Sequence, residues 1–395
     1  MAEELTMNRR GRLVVLALSL PIIAFAVIGG FLGKTLAARQ DSYQALRIFE
    51  DVVSLITNNY VEPVDAQRVM KGAMHGLADG LDPDSAYLDR EQVAAFETKA
   101  ASAAGQTGIE LTRQYYLRVI AARDGSPAAR AGLRPGDYIR GIDGEPTRDM
   151  SVYEGMRRLA GAPGTTVRLT VLRGNAADPH DLELTREALP PAPVTGRVAA
   201  PGIGYLRVAA FAASTPEQLS AEAGRLTRGG ATRLIIDLRG SAFGDLDLGL
   251  AAARLFVSSG TLAYRQAKGR EKEAIDAARG DGALKAPVVL LTDVGTSGAA
   301  EVFAGALTGH RRATIVGERT LGRAARQKLV KLPDGSALLL THLLYLAPGG
   351  GAIHEKGLTP DVAVESPDVD FGQPPPANDP ILEKAIETLN QQAAA

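Results

Sequence analysis

An alternation in the C-terminal half narrows the fold most: short runs with an apolar centre, separated by helix-length segments. RLIIDLRG (233–240) and PVVLLTDV (287–294) are too short for core helices and lack polar alternation, the mark of strands covered on both faces. IGYLRVAAF precedes them, and RATIVGE and the strand-like ALLLTHLLYLAP follow. Helix-length segments stand between, at 216–227, 248–256 and GAAEVFAGALTG (298–309). This order predicts an α/β core with mostly parallel pairing over 195–395. The triplet Gly349–Gly351 lacks the Lys-Ser/Thr that grips a nucleotide, and is read as a hairpin turn.

Composition removes whole classes of chemistry. The 395 residues carry 45 acidic and 44 basic side chains, a net charge of −1, which gives no case for nucleic-acid binding. Cysteine is absent, so disulfides, thiol catalysis and thiolate metal sites go together. The five histidines are scattered, none at metal-ligand spacing, and neither metal nor cofactor is expected.

Leu13 to Gly33 is a 21-residue run without a charge. As a helix it spans about 31 Å, enough for a hydrocarbon core. Arg9, Arg10 and Arg12 precede it, which keeps residues 1–12 in the cytoplasm and makes 13–33 a single-pass anchor. A cleaved signal peptide is the alternative, with Thr35 and Ala37 before the cut. Either way the bulk lies outside the cytoplasm, in the periplasm if the anchor sits in a bacterial inner membrane.

Region 41–100 is helical in pattern. Leu46, Phe49, Val53 and Ile56 recur at helical spacing, with Ile48, Val52 and Leu55 widening the stripe. A second helix is expected from Asp65 to Ala78, then the turn GLDPDSAYLD and a helix from Asp89 to Thr98. The wide apolar face either packs within the chain or docks another chain, giving a homo- or hetero-oligomer.

Region 104–189 changes character. GQTGIELT and LRVIAAR alternate as strands, Val152 to Leu159 reads as a helix, and VRLTVLRG as a strand. With AGLRPGDYIRGIDGE between them, this region resembles a PDZ domain. Such modules take an extended peptide as an added strand and hold its carboxylate on backbone N–H groups. The resemblance places peptide binding at Gly108, Ile109 and Met156. The plainer reading of Gly108 is a tight turn. LPPAPV (189–194) is a proline-rich linker to the last domain.

From about Tyr43 onward the chain resembles the carboxyl-terminal processing peptidases, or tail-specific proteases. ALRIFEDVVSLITNNYVEPVD, GLDPDSAYLD, the PDZ-like module, LIIDLRG, APVVLLTDVGTSGAAEVFAGALTGHRRATIVGERTLGRAARQ, IHEKGLTPDV and DPILEKAIETL fall in the family's order. The resemblance implies a peptidase α/β core carrying an inserted PDZ domain with helices in front, to which the run at 13–33 adds one transmembrane helix. It also implies chemistry in which a serine attacks a peptide carbonyl and a neutral lysine takes its proton.

The family's serine stands three residues before a glutamate, here Glu301, which puts Gly298 at that position. The family's lysine falls on Arg323, 25 positions later, and its glutamine on Gln327. Glycine has no nucleophile, and arginine does not deprotonate in proteins. The family's N-N-P-G-G oxyanion loop is GSAFG here, with Gly244 kept and Phe243 bulky; Gly244 and Ala299 form the implied oxyanion region. These departures predict a pseudopeptidase that binds protein C-terminal tails or a partner protease and scaffolds or regulates proteolysis. The alternative is an active serine endopeptidase using Ser297, with His310 or Lys328 as substitute base. Against that, Thr296 and Ser297 read as helix caps. A third reading is an inert envelope protein that binds no tails.

Overall fold

The computed structural model describes residues 43–44, 46–98, 104–174, 178–189, 191–373 and 376–394. The apolar run at 13–33 lies outside them. Among the described residues, no helix is long and apolar enough to cross a membrane. The chain divides into two units, residues 1–76 and 77–395.

In the first unit residues 46–59 are helical, and a second helix, Ala66–Asp79, begins. The apolar stripe read from the sequence is largely open to solvent: Leu46, Ile48 and Leu55 are 63%, 56% and 61% exposed. Phe49 and Val53 are half-buried.

The second unit is built on a six-stranded sheet among the described residues. Its order runs Val362–Ala363, Ala313–Gly317, Val288–Thr292, Arg233–Asp237, Ile203–Arg207 and Thr195–Ala200. Pairing is parallel except at the last two strands, which form an antiparallel hairpin. The pleat sorts each strand's side chains between two cores. Leu234, Ile236, Val288 and Leu290 point to the face covered by helices Thr215–Arg228, Leu246–Ala253 and Ala299–Gly309. Ile235, Val289, Leu291 and Val316 point to the other, where the C-terminal helix Pro380–Ala394 seats Ile381, Ala385 and Leu389. All five residues of Val288–Thr292 are buried, which explains the unbroken apolarity of 288–291.

An antiparallel sheet lies against this core. Ala337–Leu346 pairs with Ala325–Lys331, Thr261–Ala267 and a short strand, Ala86–Leu88. That last strand was not expected; the turn before it was. Asp82 accepts from the Asp84 and Ser85 N–H groups at 2.9 and 2.7 Å, an Asx-type turn. Asp89 then caps the helix Arg90–Glu97 in a capping box with Gln92. Residues 347–351 form the expected hairpin turn, closed by the Ala347 N–H on the Gly351 carbonyl at 2.9 Å.

The inserted module has strands Ile109–Gln114, Tyr116–Ala122, Tyr138–Ile142, Thr166–Leu172 and His180–Thr185, with helices Pro127–Arg130 and Val152–Leu159. Leu111, Leu117, Ile139, Ile142, Leu169 and Val171 fill its own core. Its ends are pinned where Gly105 pairs with Gly161 and Gln106 with Glu187.

Candidate active site

The site is assembled where the central strand Val288–Thr292 turns into the buried helix Ala299–Gly309. Asp293 ties this turn to the loop after strand Arg233–Asp237. Its carboxylate accepts from Gly240 N–H at 2.8 Å and Gly295 N–H at 3.0 Å, and lies 3.0 Å from the Thr296 hydroxyl. Desolvation pushes the Asp293 carboxyl up to about 6, with Asp237 and Glu318 adding repulsion against these hydrogen bonds.

Gly298 is the N-cap residue, with φ 63° and ψ −119°. An L-residue is strained there and glycine is not. Yet the space is open: a Cβ on Gly298 would meet nothing nearer than 3.9 Å. The expected hydroxyl caps are absent. Thr296 turns instead to the Leu238 carbonyl, at 2.9 Å. Ser297 is 1% exposed and its hydroxyl has no hydrogen-bond partner. The cap is supplied from within the helix by Glu301, which accepts the Gly298 N–H at 3.0 Å. A hydroxyl one residue ahead of the cap position has no first-turn N–H within reach, so the cap reading of Thr296 and Ser297 fails on register.

Glu301 is wholly buried and holds the two halves of the site together. Besides Gly298 it accepts from Gly322 N–H at 2.6 Å, Arg323 N–H at 2.7 Å and the Thr320 hydroxyl. Burial raises its pKa; the four donors pull the other way without cancelling it.

Arg323 leaves this loop to reach two carboxylates far away in the chain. Its Nε donates to Asp84 at 3.2 Å, and its Nη1 to Glu110 at 2.5 Å. Nη2 lies 3.0 Å from the second Asp84 oxygen, out of hydrogen-bond alignment. Burial works against the charge on Arg323, but Asp84 and Glu110 together lift its pKa above the ordinary arginine value. Burial raises the pKa of Glu110, and Arg323 only partly offsets this. Glu110 lies at a register shift of the first PDZ strand, between Glu110 and Leu111, the kind of irregularity that re-aims a side chain.

Gly298 and Arg323 open onto a cleft of about 480 Å³. Gly298, Arg323, Gln327, Gly244 and Phe243 face it, together with Glu110, Asp245 and Arg326. The side chain of Gln327 donates to Thr341 at 3.2 Å. Gly244, at φ 123°, abuts the Phe211 carbonyl, where a Cβ would come to 2.1 Å. Arg326 bridges Asp245 at 2.5 Å and Asp247 at 2.8 Å. Asp247 also accepts from Tyr345 at 2.8 Å.

Other expected site residues lie elsewhere. Ala299 is 2% exposed and does not line the cleft. Neither does Ser297. His310 caps the far end of an 11-residue helix, about 16 Å along its axis, with Nε2 2.8 Å from the Thr261 carbonyl. Lys328 is exposed on the strand Ala325–Lys331. Ile109 is buried in the module's core, and Met156 packs half-buried against it. Gly108 has φ 81° and abuts Ser126, whose Cβ would stand 2.2 Å from an added Cβ. Local packing therefore already demands glycine there.

Sequence reasoning missed Asp84, Glu110, Asp245 and Arg326. Asp84 sits in the recognised turn GLDPDS, but nothing in that turn names a partner 239 positions away.

A family model described as peptidase family S41 matches residues 202–364. A PDZ domain model matches 118–173, and one described as the activating protease CtpB N-terminal domain matches 32–92. The carboxy-terminal-processing protease of Bartonella bacilliformis is 32% identical over 360 residues, spanning 87% of this chain and 83% of that protein. The carboxy-terminal processing protease CtpA of Bacillus subtilis is 30% identical over 373 residues, spanning 92% and 79%. Among solved structures, the photosystem II D1 C-terminal processing protease superposes with a TM-score of 0.66 at 30% identity, covering 78% of this chain and 85% of that one. The order of elements, the PDZ insertion and these relatives together place the chain in the carboxy-terminal processing protease family.

Proposed function

We propose that the protein is a non-cleaving member of this family, which binds protein C-terminal tails or a partner protease and scaffolds or regulates proteolysis. One observation carries the reading: in the cleft, the positions aligned by resemblance with serine and lysine hold a glycine and a charge-locked arginine. No hydroxyl stands at Gly298. The Arg323 guanidinium, held by two carboxylates, cannot accept a proton.

The second reading, an active endopeptidase working through Ser297, draws support from the relatives, which are named as proteases. It requires the turn to rearrange, because Ser297 is buried outside the cleft. The deciding assay uses a disordered protein with an apolar C-terminus, incubated with purified protein and with Ser297→Ala. Equal, background-level cleavage supports the first reading. Cleavage abolished by Ser297→Ala overturns it.

The reading extends to location and assembly. The uncharged run at 13–33 would anchor the chain in a bacterial inner membrane, with residues 1–12 cytoplasmic and the bulk in the periplasm. The exposed stripe of Leu46, Ile48 and Leu55 would bury itself in a homo- or hetero-oligomer. Digestion of intact spheroplasts by added protease tests the first; sedimentation of Leu46→Glu/Leu55→Glu tests the second.

A further inference from the structure

The core's last connection crosses onto the PDZ module. It leaves the edge strand Val362–Ala363, where Ser366 N–H donates to Glu318 at 2.5 Å. It returns to the core at Asp379, which pairs with Arg239 at 2.8 Å. Between these anchors Phe371 stacks on His180 of the module, centroids 4.5 Å apart and planes 14° apart. The Arg173 guanidinium carbon lies 4.8 Å from the same ring's centroid.

The receiving surface is preorganised. Arg173 is held by Asp137 through two hydrogen bonds of 2.7 Å and by the Gly132 carbonyl at 2.6 Å. Asp137 is 1% exposed. The remaining nitrogen, Nη1, reaches the Val369 and Asp370 carbonyls at 3.4 and 3.5 Å, and Arg134 reaches the Gln373 carbonyl at 3.4 Å. The segment is acidic, with Glu365, Asp368 and Asp370, and faces two arginines that repel each other.

We propose that residues 366–373 are a releasable strap: the module carries a recognition slot for an acidic, phenylalanine-bearing extended segment, filled in cis by Phe371. Bound, the strap adds a third tie between module and core, non-covalent at the module, beside the two chain ends at 104 and 189. Displaced, it leaves the module held by its two chain ends and by contacts such as Glu110–Arg323 and Asp124–Arg207. This inference does not rest on whether the cleft cleaves peptides.

The probe is a labelled synthetic peptide, VESPDVDFGQ, residues 364–373. It should bind full-length Phe371→Ala at least tenfold more tightly than the native chain, whose slot is occupied; the same peptide with Phe→Ala should bind neither. Equal affinity for the two proteins, or no binding to Phe371→Ala, overturns the proposal. A second measurement needs no variant. A tethered segment competes at an effective concentration of about millimolar, so several millimolar peptide should speed amide hydrogen exchange at Gln373 of the native chain, whose N–H the Asp370 carbonyl holds at 3.1 Å, several-fold. Unchanged exchange there overturns the strap as a releasable element.

Discussion

Arg323 and Glu110 lie 2.5 Å apart across 213 positions of sequence, joining the loop of the cleft to the first strand of the PDZ module. Asp84 completes the cluster from the turn before strand Ala86–Leu88. Replacing Arg323 with methionine leaves two largely buried carboxylates facing each other, a defect that typically costs a few kcal/mol. The guanidinium is 23% exposed, so the lower end applies: about 3 kcal/mol. Denaturant unfolding of Arg323→Met, and of Arg323→Met/Glu110→Gln, checks this. The double variant should recover part of the loss.

Gly298→Ser should be tolerated sterically and strained conformationally. The nearest atoms to its Cβ stand at 3.9 Å, while φ 63° costs a serine about 1–3 kcal/mol. Gly298→Ser/Arg323→Lys then supplies both groups that the family uses. A lysine beside Asp84 and Glu110 stays protonated at neutral pH. Peptide cleavage by this variant should therefore appear only as pH rises, and adding Glu110→Gln should move the rise to lower pH. pH–rate profiles of the two variants are the check.

Glu301→Gln should destabilise by about 1–3 kcal/mol, because an amide nitrogen would face at least one N–H group that now donates to oxygen. Either the Gly298 and Arg323 N–H groups or the Gly322 N–H group would lose the acceptor, while the Thr320 hydroxyl can turn and accept. A lowered thermal midpoint, with hydrogen exchange rising at 298 and 322–323, is the expected result.

Asp293 makes stability depend on pH in a direction opposite to most aspartates. Its carboxyl titrates near 6 in the folded chain against 3.8 as a free side chain, so the folded state binds the proton more tightly. The contribution is fully present below about pH 4 and is lost as pH rises through 6, at most about 3 kcal/mol. Asp293→Asn keeps an acceptor for Gly240 and Gly295 and should flatten the unfolding free energy between pH 4 and 6. An unchanged slope would mean another group titrates there.

Ser297→Ala should leave stability unchanged or slightly raised, since it removes a buried hydroxyl without a partner. Thermal midpoints of the two proteins test this.

What the sequence disclosed follows the range of the forces involved. Strand Val288–Thr292 and helix Ala299–Gly309 announce themselves because burial on every side leaves few polar residues in them, Glu301 and Thr292 among these. The frame linking Gly298, Glu301 and Arg323 was legible because it is carried by spacing along one stretch of chain. The cap at Gly298 was misassigned because Ser and Thr are the usual cap residues, and a glutamate three residues inside the helix took their place. Glu110, Asp84 and Phe371 gave no local signal. Each acts on a partner that only the folded chain brings near.

The short strand Ala86–Leu88 fixes when the protein can be finished. Its neighbour Ser85 meets the Thr341 N–H at 3.3 Å, and 256 residues separate them. At about 5–20 residues per second, a ribosome takes roughly 13–50 seconds to make that interval. Throughout it, Ala86, Tyr87 and Leu88, all buried at the end, have no sheet to join. The front of the chain is thus obliged to wait unpaired for its last third, and any factor that guards nascent chains has its longest task at this strand.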